Sequence, residues 1–342
     1  MNYRFLFGLT ALVWMIFSFA SCESNPNNNM DDVAFIEADT TMSDMDKELD
    51  AINKMLKNDV NNTGLYLKRA RIYKENGNFT AAINDLNRAI KIDSLIPEFY
   101  LLKAELYKAQ DDYKAAKQTL DKCLYIDNDN VQARVELGWL ALYVTNHEQA
   151  LDYADAALKR DMYHAEAYYL KGMIFLDKKD TALAISSFKT AVEQENDYYD
   201  AYIQLGMLHF NDPLGEGYFK NALRVDSNSL EALYNTGMYY QEKGKFDEAI
   251  ALYKKAIALH PYREPYFNIA YIHHEYLQEY DKAVEWYTKA INIEPKYIDA
   301  YYNRGLCYEL LNNRTNAKND FQTVLKLHPT HTYAAIALER VL

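Results

Sequence analysis

Apolar positions along this chain recur at helical spacing in short stripes separated by polar breaks. From Leu230 to Arg263 the stripes describe two amphipathic helices joined at Lys243-Gly244-Lys245. Small residues stand at Gly237, Ala249 and Ala256, where bulkier side chains would hold the helices apart. Tyr240, Phe246 and Tyr253 fill the space around them, and Pro261 ends the second helix. A pair this short cannot bury its apolar faces alone and requires neighbours built the same way.

The rest of the chain supplies them. A small residue opens the second helix at Ala82, Ala116, Ala150, Ala184, Gly215, Ala249, Ala283 and Ala317, at intervals of 34 residues apart from one of 31. Ala89, Cys123, Ala157, Ala191, Ala222, Ala256, Ala290 and Val324 keep the same intervals. A first-helix series follows at Ala70, Ala104, Gly138, Gly172, Gly206, Gly237, Ala270 and Gly305. Three series in one register mark an internal repeat, which overrides a domain count taken from length.

The unit starting at Ile298 carries Tyr301, Gly305, Tyr308, Ala317, Phe321 and Pro329. This resembles the tetratricopeptide repeat (TPR) family, whose 34-residue unit is a helix–turn–helix. The resemblance implies an all-α, right-handed α-solenoid of eight units: 63–96, 97–130, 131–164, 165–198, 199–229, 230–262, 263–297 and 298–331. Proline closes three of them, at Pro261, Pro295 and Pro329; Ser94, Asn128, Met162, Asn196 and Ser227 stand there in the others. The fifth unit lacks three residues at its internal turn, which should trim its first helix or tighten the junction, with Asp212-Pro213 opening the second.

The ends differ from the repeats. Residues 1–21 combine Arg4 with a 16-residue apolar run from Phe5 to Ala20, too short for a spanning helix and suited to a secretory signal peptide. Phe19-Ala20-Ser21-Cys22 resembles a bacterial lipobox, with Phe19 in place of the usual aliphatic residue. That resemblance implies lipidation of Cys22, and several acyl chains on one residue anchor a protein stably. Residues 22–42 are polar and acidic and read as a disordered tether. Residues 43–62 form an N-terminal capping helix with Leu49, Ile52, Met55 and Leu56 on its apolar face; Ser43 and Asp46 mark its start. Residues 332–342 form a C-terminal capping helix that covers the last unit with Tyr333, Ile336, Ala337 and Val341.

Composition sharpens this picture. The 342 residues include 31 tyrosines but only 11 glycines and 7 prolines, which favours helices. The net charge of −12 argues against nucleic acid as a partner. Nine acids and one lysine between Glu23 and Asp50 account for −8 of it, so the repeats are only mildly acidic. Lys68, Arg71 and Lys74 put a basic strip on the first helix of unit one.

No phosphate loop, nucleophile elbow or zinc-protease motif is present, and no catalytic residue, metal site or cofactor is expected. His273 and His274 are adjacent and point about 100° apart on a helix. Cys123 and Cys307 occupy small or apolar repeat slots, in units two and eight, and read as buried thiols.

The remaining candidate chemistry is a surface. In the family the first helices line a concave groove, where the register places Asn235, Asn268 and Asn303 in a row. Tyr234, Phe267 and Tyr302 flank it, with Met238, Tyr271 and Leu306 one turn on. Amides can hold an extended backbone, and aromatics give rigid contact area. Glu231, Glu264 and Asp299 border the row and favour a neutral or basic segment over an acidic one.

The expectation is therefore a non-enzymatic scaffold. It is anchored through Cys22 in a bacterial envelope, most naturally the periplasmic face of the outer membrane, and holds protein or peptide segments during cell-wall remodelling or secretion and assembly. A glycan- or cell-wall-fragment-binding protein and a self-associating subunit such as a homodimer are the alternative readings.

Overall fold

A computed structural model describes residues 43–342, and the expected signal peptide, lipidated Cys22 and acidic tether lie outside the described residues. The described residues fall into two units, a short one ending at Lys47 and a long one over Glu48–Leu342. In the first, the Ser43 hydroxyl accepts from the Asp46 backbone N–H at 3.1 Å and donates to the Asp46 carboxylate at 2.8 Å, as a helix cap does.

The described residues are all-α, with no strand among them. Helix α1 spans Asp44–Asn58. The first helices of the eight units are α2 (Thr63–Glu75), α4 (Pro97–Ala109), α6 (Val131–Tyr143), α8 (Ala165–Asp177), α10 (Tyr199–Leu208), α12 (Leu230–Glu242), α14 (Arg263–Tyr271) and α16 (Ile298–Leu310). Their second helices are α3 (Phe79–Ile92), α5 (Tyr113–Ile126), α7 (His147–Leu158), α9 (Thr181–Gln194), α11 (Leu214–Val225), α13 (Phe246–Leu259), α15 (Tyr280–Ile293) and α17 (Arg314–Leu327). Helix α18 (Thr332–Val341) closes the array against α17 and α16. Each first helix packs on its own second helix, and each second helix packs on the next unit. The array is an α-solenoid.

Packing within a unit follows size complementarity. In units four, five, six and eight a first-helix glycine meets an aromatic ring of the second helix: Gly172 with Phe188, Gly206 with Phe219, Gly237 with Tyr253, and Gly305 with Phe321. A Cβ on Gly172 would lie 2.4 Å from Phe188 Cε1, so the close approach requires glycine. Units one and two make the opposite choice, with Ala70 and Ala104 clustered with the smaller Leu86 and Leu120. Each buried ring or aliphatic side chain contributes about 1.5–3 kcal/mol of transfer free energy.

The turn between the two helices needs one residue in the left-handed region. Gly77, Asp111, Thr145, Lys179, Gly244, Gln278 and Asn312 fill this register position with φ between 55° and 72°. The fifth unit has none, because its three-residue deletion removes that turn. Helix α10 is accordingly cut to 10 residues, against 13 in α8 and α12. The Asp212 carboxylate then accepts from the Leu214 backbone N–H at 2.8 Å and starts α11.

Unit seven carries a feature the sequence analysis did not register. Ala270 is buried in one cluster with the large Tyr287, and the helix continues as a π-helical turn over Ile272–Tyr276. The extra residue explains why the first-helix series steps by 33 and then 35 around Ala270 while the second-helix series keep 34.

Two sequence expectations are corrected. Helix α1 buries Ile52 and Leu56, but Met55 is 55% exposed, because its position turns it away from α2. Helix α18 buries Ala334, Ala337 and Val341, with Leu338 packed beside them, whereas Tyr333 and Ile336 remain exposed. The basic strip of α2 stays at the surface with each cation paired: Lys68 with Glu48 at 2.7 Å, Arg71 with Glu98 and Lys74 with Glu105. No helix among the described residues is long and apolar enough to cross a membrane.

Candidate peptide-binding groove

The register that stacks the units also aligns equivalent positions of their first helices. The fifth position of α8, α12, α14 and α16 carries Tyr169, Tyr234, Phe267 and Tyr302. Each ring packs against an aromatic from the loop that follows its unit: Tyr169 with Tyr198 at 5.2 Å between centroids, Tyr234 with Tyr262 at 6.3 Å, Phe267 with Tyr297 at 5.2 Å, and Tyr302 with His331 at 5.1 Å. One turn on, Met207, Met238, Tyr271 and Leu306 continue the surface, and Met207 is 45% exposed. Burial raises the pKa of Tyr234, Tyr271 and Tyr302, so these phenols stay neutral and serve as hydrogen-bonding ends on apolar rings.

The three asparagines occupy equivalent places but have different surroundings. Asn268 donates both amide hydrogens inward, to Tyr234 Oη at 3.3 Å and Tyr253 Oη at 3.2 Å. Its amide ties unit seven to unit six and keeps only its oxygen in reserve. Asn303 donates to the Asp299 carbonyl of its own helix at 2.8 Å. Asn235 makes no hydrogen bond among the described residues, and its half-buried amide is the one free to meet a ligand backbone. Met238 packs in the same cluster as Tyr234, and Tyr271 stacks on Phe267 at 6.2 Å.

Carboxylates form a further row, which the sequence analysis traced only through its last three members. The second position of each first helix from α4 onward carries Glu98, Glu166, Asp200, Glu231, Glu264 and Asp299, interrupted at α6 by the amide of Gln132. Extending the repeat register toward the N-terminus would have found it. Asp200 and Glu231 are open to solvent at their surface, yet the walls of the groove surround them, and this desolvation raises both carboxyl pKa values. Tyr199 Oη donates to Glu231 at 3.2 Å and partly offsets the effect.

The other candidate chemistry is structural. Cys123 and Cys307 are buried free thiols, raised by burial to about 11 and about 12, and hence unreactive. His273 Nδ1 lies 2.7 Å from Glu279, and His274 is held neutral by burial against Tyr287. Among the described residues no cluster of three or more His, Cys, Asp or Glu side chains could hold a metal.

Comparison with known proteins points in one direction. Family profiles described as tetratricopeptide repeat match residues 63–94, 97–130, 135–202, 230–262 and 298–331, and one described as TPR repeat matches 276–312. The human mitochondrial import receptor subunit TOM70 is 31% identical over 108 residues, covering 29% of this chain and 18% of that protein. The bovine BBSome complex member BBS4 is 25% identical over 229 residues, covering 56% of this chain and 44% of that one. The chain thus spans less than half the length of these curated relatives. Among solved structures, the APC/C hetero-tetramer Cut9-Hcn1 superposes with a TM-score of 0.51 at 17% identity, over 88% of this chain and 60% of that one. Pseudomonas aeruginosa pilF gives 0.50 at 17% identity, over 58% and 92%. At such identities the likeness concerns the fold.

Proposed function

This chain belongs to the tetratricopeptide repeat family, and on that premise we propose that it is a membrane-anchored adaptor whose groove holds extended segments of partner proteins. The observation that carries the reading is the run of aromatic and methionine side chains from Tyr169 to Tyr302, lined up by the register and left half open. Rigid rings supply contact area at low entropic cost, and the unspent amide of Asn235 supplies a backbone contact among them. No catalytic step is assigned to the chain. The relatives' names, an import receptor subunit and a complex member, agree with a role in holding other proteins.

The lipobox-like Phe19-Ala20-Ser21-Cys22 supports anchoring of the chain on a bacterial envelope membrane through a lipidated Cys22. The periplasmic face of the outer membrane is its proposed location, and its partners are those of cell-wall remodelling or of secretion and assembly machinery. A Cys22→Ser variant should lose labelling by a fatty-acid analogue and leave the membrane fraction; retained labelling would refute the anchor. Envelope crosslinking of the Tyr234→Ala/Asn235→Ala variant should lose adducts that the wild type forms. Identical adducts would count against the groove.

A further inference from the structure

Charge along the groove changes character between its N-terminal and central parts. Near the N-terminus the groove cations are paired with carboxylates: Lys68 with Glu48 of α1, and Arg71 with Glu98, Lys74 with Glu105 and Lys108 with Glu136 of the next unit. That stretch is neutralised from within. From α8 to α12 the carboxylates persist as Glu166, Asp200 and Glu231, but the cations are gone. Helices α10 and α12 contain no lysine or arginine, and Lys171 of α8 is turned to Asp155 of α7 at 2.8 Å. None of the three carboxylates has an ion-pair partner among the described residues.

Aromatic rings stand beside them. Trp139, Tyr169 and Tyr198 form a continuous series, with centroids 5.8 Å and 5.2 Å apart. Glu166 is fixed at its edge by the Trp139 indole N–H at 3.1 Å and by Gln132 at 3.0 Å. A hollow of about 420 Å³ opens there, lined by Tyr198 and Glu166 together with Asp161 and Glu195, and no lysine or arginine lines it.

The molecule already shows what such a combination holds. In unit seven, three units on, the Arg263 guanidinium lies 4.7 Å from the centroid of Tyr297, clamped by Glu264 at 2.9 Å and Glu294 at 2.6 Å. A cation on an aromatic face between carboxylates is favourable, more so where water is partly excluded. Tyr198 with Asp200 repeats the placement of Tyr297 with Asp299, but Ala165 of α8 stands at the position that Arg263 takes on α14, so no arginine fills it.

We propose that the groove across α8, α10 and α12 takes arginine or lysine side chains of an extended partner segment, seated on the Trp139–Tyr169–Tyr198 rings and paired with Glu166, Asp200 and Glu231. This rests on the groove reading above and adds the partner's chemistry to it. An acidic tail is repelled by the same row. A cationic segment relieves the mutual repulsion of Asp200 and Glu231, which crowding in the groove leaves unrelieved in the free protein.

The test is fluorescence anisotropy on the full-length chain in detergent at physiological ionic strength. The probes are labelled peptides of equal length alternating serine with arginine, glutamine or glutamate. The arginine probe should bind at least about tenfold tighter than the glutamine probe, and the glutamate probe weakest. Asp200→Asn/Glu231→Gln should weaken the arginine probe about tenfold, while Glu193→Gln/Asp247→Asn, which removes the same charge from exposed sites on α9 and α13, should change it less than about twofold. Thermal melts matching the wild type exclude unfolding as the cause. Equal weakening by both pairs means bulk charge alone, and failure of every probe to bind is equally adverse; either overturns the proposal. If the glutamine probe binds as well as the arginine probe and loses affinity in Tyr234→Ala/Asn235→Ala, the groove stands and the cationic partner falls. If the arginine probe ignores every groove substitution, both readings fall.

Discussion

The side-chain amide of Asn268 donates to the Tyr234 hydroxyl across the boundary between units six and seven, at 3.3 Å. Its second hydrogen goes to Tyr253 at 3.2 Å. An asparagine in the groove therefore serves the packing of the solenoid, whereas its equivalent Asn235 does not. Asn268→Ala is expected to lower stability by about 1–2 kcal/mol, since it leaves the Tyr234 and Tyr253 hydroxyls short of a donor. Asn235→Ala should stay within about 0.5 kcal/mol of wild type. Urea denaturation of the two variants measures the difference, and equal losses would contradict the assignment.

Thr145 occupies the left-handed turn position with φ 57°, where glycine stands in units one and six. A β-branched residue there costs about 1–2 kcal/mol. Thr145→Gly should raise the stability by about 1 kcal/mol and Gly244→Thr should lower it by a similar amount. Denaturation midpoints of the two variants, moving in opposite directions, check the turn geometry.

Gly172 and Phe188 form a matched pair. Gly172→Ala should destabilise by about 1–3 kcal/mol through overpacking against the ring. Adding Phe188→Leu recreates the alanine–leucine arrangement of units one and two and should recover a large part of the loss. A double-mutant cycle should show coupling of about 1 kcal/mol or more, and simple additivity would contradict the complementarity.

Glu216 gathers Lys220 and Lys245, each at 2.8 Å, beside the shortened turn of unit five. Hydrogen bonds from the two lysines hold its carboxyl at about 2, below an ordinary 4.5. A carboxyl depressed in the folded state adds stability above its unfolded pKa, and that contribution is lost as pH falls through the folded value. Wild type should thus exceed Glu216→Gln in denaturation midpoint at neutral pH, with the gap closing between about pH 4.5 and pH 2. A gap independent of pH would mean that the lysines do not act on this carboxylate.

The repeat made the helix pairs legible, because small residues at 34-residue spacing report close packing directly. The trimmed α10 followed from three missing residues. The π-helical turn was written in the 33- and 35-residue steps around Ala270, but a single extra residue is silent unless all three series are compared. The two end helices misled because periodicity names a face without saying how a neighbour meets it. Met55 and Tyr333 belong to apolar stripes and still face outward.

The groove was legible in position and not in chemistry. The register put Asn235, Asn268 and Asn303 in one row, but only the side-chain geometry shows that Asn268 is spent on Tyr234 and Tyr253. Pairing had the same effect on charge. The sequence shows the basic strip of α2 but not that its cations are paired, with Glu48, Glu98 and Glu105. The unpaired carboxylates sit instead on α8, α10 and α12, helices whose charge stands out only when their neighbours' cations are known to be absent.

Placing a photo-crosslinking amino acid in the full chain, within its own cells, tests the central claim most directly. One site is Met207, on the groove side of α10, and the other is Ser186, exposed on the second helix α9. The groove account predicts discrete adducts from position 207, mapping by mass spectrometry to short extended segments of partner proteins, and few or none from position 186. Adducts equal in number and identity from the two positions, or confined to position 186, would contradict it.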